Sequence, residues 1–220
     1  MSLTTYAELQ TAIGVELNRT DLTGVIPDFI TRAEARFRRD LRDWLRQVVT
    51  LTNVTGDTIL AATVDAVLAV NYNDGTNGSH NFPLDLVSSE RYHQLLDAQS
   101  IATSLPGQLC YVDYTEQHTI TLRFWPPIGS SAPIANLSVE CVGVLAGLSA
   151  TQTSNALLVA APDVYLYGAL AESAAYLSHD ERIPIWENRC LAGIRGLRAQ
   201  QERRLYGGAP RPRQLARVFG

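Results

Sequence analysis

Four histidines, three cysteines and one pair of adjacent acids are the side chains in this 220-residue sequence that could carry metal or acid–base chemistry. Their spacing disperses them. His80, His93, His118 and His179 lie at least 13 residues apart, so there is no HExxH helix. Cys110, Cys141 and Cys190 form no CxxC pair, which argues against a zinc knuckle and a disulfide framework and fits a reduced, intracellular chain. There is no GxSxG, and a phosphate loop ending in lysine is excluded because the sequence has no lysine. Asn71–Gly78 loosely matches a calcium loop. Its twelfth position is Phe82, where a bidentate glutamate is needed, and Gly75 comes one residue early. That stretch reads as a hairpin turn. Asp180-Glu181 could exchange protons, but at a helix start it reads as a cap. Four N-x-S/T sequons, at Asn18, Asn53, Asn77 and Asn136, are chance matches if the chain is never secreted. No catalytic residue, metal or cofactor is expected. A small hydrolase with a triad drawn from distant residues is the one enzymatic alternative.

Charge is more informative. All 18 basic residues are arginine, against 22 acids, for a net charge of −4. Codon bias in a G+C-rich genome would produce this, yet the arginines cluster. From Arg203 to Gly220 there are five arginines and no acid, so the remaining chain carries −4 − 5 = −9. A basic tail on an acidic body suggests a docking arm. A nucleic-acid-binding protein using the arginine-rich helix and tail is a second alternative. It would need stacking aromatics beside the arginines, and the tail offers only Tyr206 and Phe219. No run of about 18 apolar residues exists, so no membrane-spanning helix is expected. The opening residues lack the basic and apolar regions of a secretory signal.

The elements follow from periodicity. Thr5 with Glu8 makes a capping box for a helix to about Asn18, with Leu9, Ile13 and Leu17 inward. A longer helix is predicted over Gly24–Arg46, striped by Ile26, Ile30, Ala33, Phe37, Leu41 and Trp44. Asp28–Arg32, Glu34–Arg38 and Arg39–Asp43 are spaced for ion pairs along it. The middle turns β-rich. Strands are predicted at Gln47–Thr52, Ala66–Tyr72, Gln108–Tyr114, Thr119–Trp125 and Ala135–Leu145, with a hairpin signal at Asn73-Asp74-Gly75. A short helix over Ser88–Gln99, capped by Ser89, turns Tyr92, Leu95 and Leu96 inward. The last third is helical again, over Asp163–Leu177 and from Asp180 to about Leu205. Pro210 and Pro212 then make the end an extended arm. These elements predict an α+β fold: a helical bundle from both terminal segments (1–46 and 151–205), a β-rich antiparallel insertion (47–150) and an extended basic C-terminal arm (206–220). The two helical segments are expected to pack together, because each apolar stripe is too one-sided to be stable alone.

At the C-terminal helices the sequence resembles a known family. Ala161-Pro162-Asp163-Val164-Tyr165-Leu166-Tyr167-Gly168-Ala169-Leu170-Ala171-Glu172, then Asp180-Glu181-Arg182 and Trp186-Glu187, is similar to the head-to-tail adaptor (connector, or head-completion) proteins of tailed bacteriophages. Ile26-Pro27-x-Phe29-Ile30-x-x-Ala33-Glu34-x-Arg36 is similar to that family's N-terminal region. The resemblance implies a non-enzymatic virion protein of the neck. It would be made in the host cytoplasm and assemble as a homo-oligomeric ring, usually twelvefold, between the portal protein and tail or nozzle proteins. It would extend a channel through which genomic DNA passes without sequence-specific binding, and provide the tail attachment platform. An acidic lumen would let the phosphate backbone slide. Under this reading Arg211, Arg213, Leu215, Arg217, Val218 and Phe219 are the portal-docking arm. Gly168, Ala169, Ala171, Ala174 and Ala175, with Arg32, Arg36 and Arg39, are candidates for packing between subunits.

Overall fold

The computed structural model describes residues 3–19, 21–73, 81–97, 109–114, 119–128, 134–177 and 181–206. Along the chain the elements are α1 (Tyr6–Leu17), α2 (Ile26–Asp40), β1 (Arg46–Val54), β2 (Thr58–Ile59), β3 (Val64–Asn73), β4 (Asn81–Val87), α3 (Ser89–Asp97), β5 (Leu109–Tyr114), β6 (Ile120–Trp125), β7 (Ile134–Gly143), α4 (Ala156–Ala160), α5 (Pro162–Glu172) and α6 (Ile183–Tyr206). They form two compact units. A helical unit takes Met1–Trp44 and Gly147–Gly220, and a sheet unit takes Leu45–Ala146.

In the helical unit α1 starts at the capping box. Glu8 N–H donates to Thr5 Oγ1 at 3.3 Å while Glu8 Oε2 accepts from Thr5 N–H at 3.1 Å. It stops at Asn18, whose φ of 52° places it in the left-handed region that asparagine tolerates. Leu9, Ile13 and Leu17 are buried, as their spacing of four predicts. Helix α5 packs against α1, α2 and α6.

The sheet unit holds a seven-stranded sheet in the order β1-β7-β3-β4-β5-β6-β2. Its two end strands, β1 and β2, are consecutive in the chain, so the sheet curls into a nearly closed, barrel-like form. β6 shows why an inside exists. Ile120, Leu122 and Phe124 are buried and alternate with half-buried Thr121, Arg123 and Trp125. Val70, Leu84, Cys110, Leu137 and Val139 complete much of the core.

This architecture corrects the fold expected from sequence. The protein is a mixed α/β fold whose seven-stranded barrel-like sheet matches its helices in extent, and not a helical bundle carrying a β-rich antiparallel insertion. The sheet is also not wholly antiparallel: β4 and β5 run parallel, with Asp85, Leu86 and Val87 opposite Leu109, Cys110 and Tyr111. A parallel pair needs a crossover, and α3 lies in it. Two strands gave no local signal. Pro83 hides β4, because proline removes a ladder donor, and β2 is two residues long.

Three smaller corrections have local causes. Helix α2 ends at Asp40, not Arg46, because Arg46 pairs with Val142 and begins β1. The cap of α3 is the Ser88 hydroxyl, which accepts from Arg91 N–H at 3.3 Å. Leu96 faces outward, and Tyr92 alone of that helix is buried, with its ring stacked on Tyr111 at 5.3 Å. The turn at Asn73-Asp74-Gly75 lies outside the described residues beyond Asn73, although Asn73 and Asn81 pair across it.

Candidate functional site: the arginine-laced helical unit

Helix α2 organises this unit. Ile26, Phe29, Ile30, Ala33 and Phe37 line its buried face, and Leu41 follows its last turn. Trp44, the predicted end of that stripe, is half-buried beyond the helix. Phe37 meets Tyr165 edge to face at 5.2 Å and 74°, a favourable geometry for aromatic rings. Gly168 is the residue of α5 that allows this approach: a Cβ built there collides with Phe37 Cζ and lies 3.0 Å from Phe37 Cε1. Gly193 does the same for α6, where an added Cβ meets Val164 Cγ2 at 2.5 Å.

A carboxylate lies inside this packing. Glu34 is 4% exposed. Its Oε1 accepts from Leu148 N–H at 2.7 Å and from the Tyr165 hydroxyl at 3.1 Å. Asn155 Nδ2 donates to the Tyr165 oxygen at 2.6 Å, and Asn155 Oδ1 caps α4 by accepting from Leu158 N–H at 2.9 Å. One chain of hydrogen bonds therefore joins α2, α5, α4 and the segment at Leu148. Burial raises the Glu34 carboxyl above its ordinary value, against the lowering pull of the two hydrogen bonds and of Arg38. Burial likewise raises the Tyr165 phenol.

The arginines divide into two sets. The first is committed inside the subunit. Arg36 grips Glu187 bidentately, with Nη1–Oε2 at 2.8 Å and Nη2–Oε1 at 2.6 Å, and reaches Asp40 at 3.4 Å. The hydrogen bonds to Arg36 hold the Glu187 carboxyl below its usual range. Arg198 clamps the Asp40 carbonyl at the end of α2, at 2.8 and 2.5 Å. Arg189 donates to the Tyr167 hydroxyl at 2.6 Å and lies over its ring. Arg182 covers the Trp186 ring and donates to the Glu16 carbonyl at 2.9 Å. In the sheet unit Arg123 bridges Asp113 at 3.1 Å and Asp57 at 3.3 Å. The second set, Arg32, Arg39, Arg42, Arg195, Arg203 and Arg204, is exposed. None of these six has a hydrogen-bond or ion-pair partner among the described residues.

The residues expected at subunit contacts therefore separate. Gly168 and Ala169 are buried in their own subunit, Ala171 and Ala174 are half-buried, and Ala175 is exposed. Arg36 is spent on Glu187, while Arg32 and Arg39 remain free to reach outward. Arg211, Arg213, Leu215, Arg217, Val218 and Phe219 lie outside the described residues. Glu34, Tyr165, Asn155 and Glu187 were not singled out as a network. For Glu34 the signal was present: it stands four residues after Ile30 on the buried stripe, and was read instead as the partner of Arg38.

Chemistry is sparse among the described residues. No group of three or more His, Cys, Asp or Glu side chains could hold a metal ion there. Burial pushes the Cys110 thiol up to about 12 and the Cys190 thiol up to about 11, so neither supplies a thiolate at neutral pH. His93 spends its Nδ1 on the Ser89 carbonyl at 2.7 Å. His80, His118, His179 and Asp180 lie outside the described residues. No described helix is long and apolar enough to cross a membrane.

Comparison with known proteins agrees with a structural role. No curated protein matches the chain. The family model described as SU10 adaptor protein matches residues 4–214, nearly the whole sequence and both units. The match takes in the capped α1, the Ile26–Arg36 stripe and the Pro162–Glu172 helix, and the chain belongs to the SU10 adaptor protein family, a family of phage head-to-tail adaptors.

Proposed function

We propose that this adaptor acts as a homo-oligomeric ring, usually twelvefold in such proteins, seated on the portal protein, where it extends the DNA channel and presents the platform on which tail or nozzle proteins attach. The observation that carries this reading is the family match over residues 4–214. That match makes the protein a structural component of the virion neck, with portal and tail proteins as its partners. The packing supports the role. A ring that bears load needs a subunit that does not deform. Here α5 meets α2 and α6 at glycine-width contacts, and the Glu34–Tyr165–Asn155 chain crosses four segments.

Docking is assigned to residues 206–220. In this reading Gly207 and Gly208 would serve as a hinge and Pro210 and Pro212 would favour an extended segment, whose 15 residues would span about 50 Å at roughly 3.3 Å each. Arg211, Arg213 and Arg217 pair with portal carboxylates, and Leu215, Val218 and Phe219 fill apolar pockets as anchors. Truncation before Gly207 tests this. The shortened protein is expected to keep its helicity and lose portal binding. Portal binding equal to that of the full chain would refute the arm. The net charge of −4 per copy is consistent with a channel that does not hold DNA.

A further inference from the structure

One junction of the helical unit carries open apolar side chains, and three contacts build it. A Cβ placed on Gly14 of α1 lies 3.7 Å from Ile26 Cδ1 at the start of α2. The Phe29 ring of α2 stands 5.2 Å from the ring of Tyr176, just past α5. Arg182, just before α6, donates to the Glu16 carbonyl of α1 at 2.9 Å. The end of α1, the first turn of α2, the close of α5 and the start of α6 therefore share this surface. Val15 at 63%, Ile185 at 52% and Tyr176 at 41% exposure stand open on it. One exposed apolar residue needs no explanation, but three gathered at one junction mark a contact surface.

The charge around them is acidic. The carboxylates of Glu16, Asp28, Glu172 and Glu181 have no hydrogen-bond or ion-pair partner among the described residues. The nearby arginines are mostly spent: Arg19 on Asp21, Arg36 on Glu187, and Arg182 on the Glu16 carbonyl and the Trp186 ring. Arg32, one turn along α2 from Asp28, is exposed with no partner among the described residues. A segment that fits this surface brings both arginine and apolar side chains.

Such a segment is tied to the same chain. Residues 207–220 hold Arg211, Arg213 and Arg217, no acid, and Leu215, Val218 and Phe219. They follow Tyr206, the last residue of α6. From Ile185 to Tyr206 that helix rises about 32 Å at roughly 1.5 Å per residue. Leu215 lies nine residues beyond Tyr206 and Phe219 thirteen, reaches of about 30 and 43 Å at roughly 3.3 Å each. These reaches bracket the distance, so the apolar residues can come level with the patch when the segment turns back along α6. At its root the segment passes exposed Arg195, Arg203 and Arg204, which repel its arginines, whereas the unpartnered carboxylates lie at the start of the helix. Tethering makes the encounter intramolecular, so a modest contact suffices.

We infer that in the free subunit residues 207–220 fold back along α6 and cover this patch, so that portal docking must first release them. The occupant is this segment because its length, its charge and its apolar residues each answer a feature of the patch. Release matters only if the arm docks as proposed above, whereas the contact itself does not depend on that reading. Portal binding is then a competition, and its apparent affinity is reduced by the fraction of subunits whose arm is free.

The test uses the full-length protein in dilute solution, with a nitroxide attached at Gly220→Cys; the three native cysteines are buried. The label is expected to broaden the amide resonances of Val15, Tyr176 and Ile185, and added salt to reverse this by screening. Amides left sharp would overturn the proposal. Labelled protein mixed with unlabelled, isotope-enriched protein should leave the enriched amides sharp. Broadening of the enriched copy would place the arm on a second copy and equally overturn it. Val15→Arg with Ile185→Arg removes two apolar groups and repels the arm. With unchanged helicity, this variant is expected to lose the broadening and to bind portals about tenfold more tightly, because the arm is no longer withheld. Broadening that persists would contradict the fold-back, and so would portal affinity equal to the parent's while truncation before Gly207 abolishes binding. If the truncated protein binds portals as the full chain does, the docking reading fails and the label still decides the fold-back.

Discussion

Glycine and a buried carboxylate show at the residue scale how this unit is built. Gly168 and Gly196 both stand inside helices, where alanine is intrinsically favoured by about 1 kcal/mol. Their surroundings differ. A Cβ at Gly168 strikes Phe37, itself fully buried, whereas a Cβ at Gly196 meets nothing within 4 Å. Gly168→Ala should therefore destabilise by about 1–3 kcal/mol in urea unfolding, and Gly196→Ala should stabilise by about 1 kcal/mol. Equal effects would show that the close approach is not what selects glycine. Glu34 gives a pH signature. Its carboxyl is raised on folding, so its contribution is fully present below the ordinary glutamate value of about 4.3 and is lost as pH rises through the raised value. Wild type should thus lose stability relative to Glu34→Gln as pH climbs from about 4 to neutrality, because the amide cannot ionise yet still accepts hydrogen bonds. A constant difference across that range would mean Glu34 is not perturbed. At this scale the sequence was partly readable. The capping box at Thr5 and Glu8 declares itself in four residues. Glu34 shows its burial only by its place on the stripe, and its partners Tyr165 and Leu148 lie more than 100 residues away.

Among the elements, periodicity was a good guide where packing is one-sided and a poor one where pairing is distant. Helix α6 was legible because Trp186, Cys190, Ile194 and Leu197 recur on one face, and all four are buried. Trp186→Ala should cost about 3–5 kcal/mol by chemical denaturation. A loss under about 1 kcal/mol would show that the ring is covered by Arg182 alone. The sheet was legible strand by strand but not as a sheet. β6 alternates cleanly, yet nothing in β4 or β5 announces that they pair in parallel, and Pro83 argued against a strand at all. Helix α2 was overextended because Leu41 and Trp44 continue its stripe, while Arg46 is claimed by the β1–β7 ladder. Long-range ladders override local pattern because their hydrogen bonds are made elsewhere in the chain. The same logic explains the mistaken fold class: an alternating strand looks alike in a small insertion and in a nearly closed seven-stranded sheet.

For the whole molecule, the family assignment and the charge pattern address different questions. Membership of the SU10 adaptor family places the protein in the neck of a phage virion. Some of its arginines are locked inside the subunit, and others, Arg32 and Arg39 among them, are left exposed on the helical unit. Under the docking proposed above, the basic stretch from Arg203 to Gly220 would reach toward the portal. That docking would draw on an acidic body carrying a basic end, and it would weaken with salt. The most direct measurement is an image of the purified protein mixed with its portal, classified by symmetry. The account predicts a closed ring of copies coaxial with each portal, usually twelve, that is lost when residues 207–220 are removed. Portals that remain bare at saturating concentrations of the intact protein, or that bind it as scattered single copies, would contradict it.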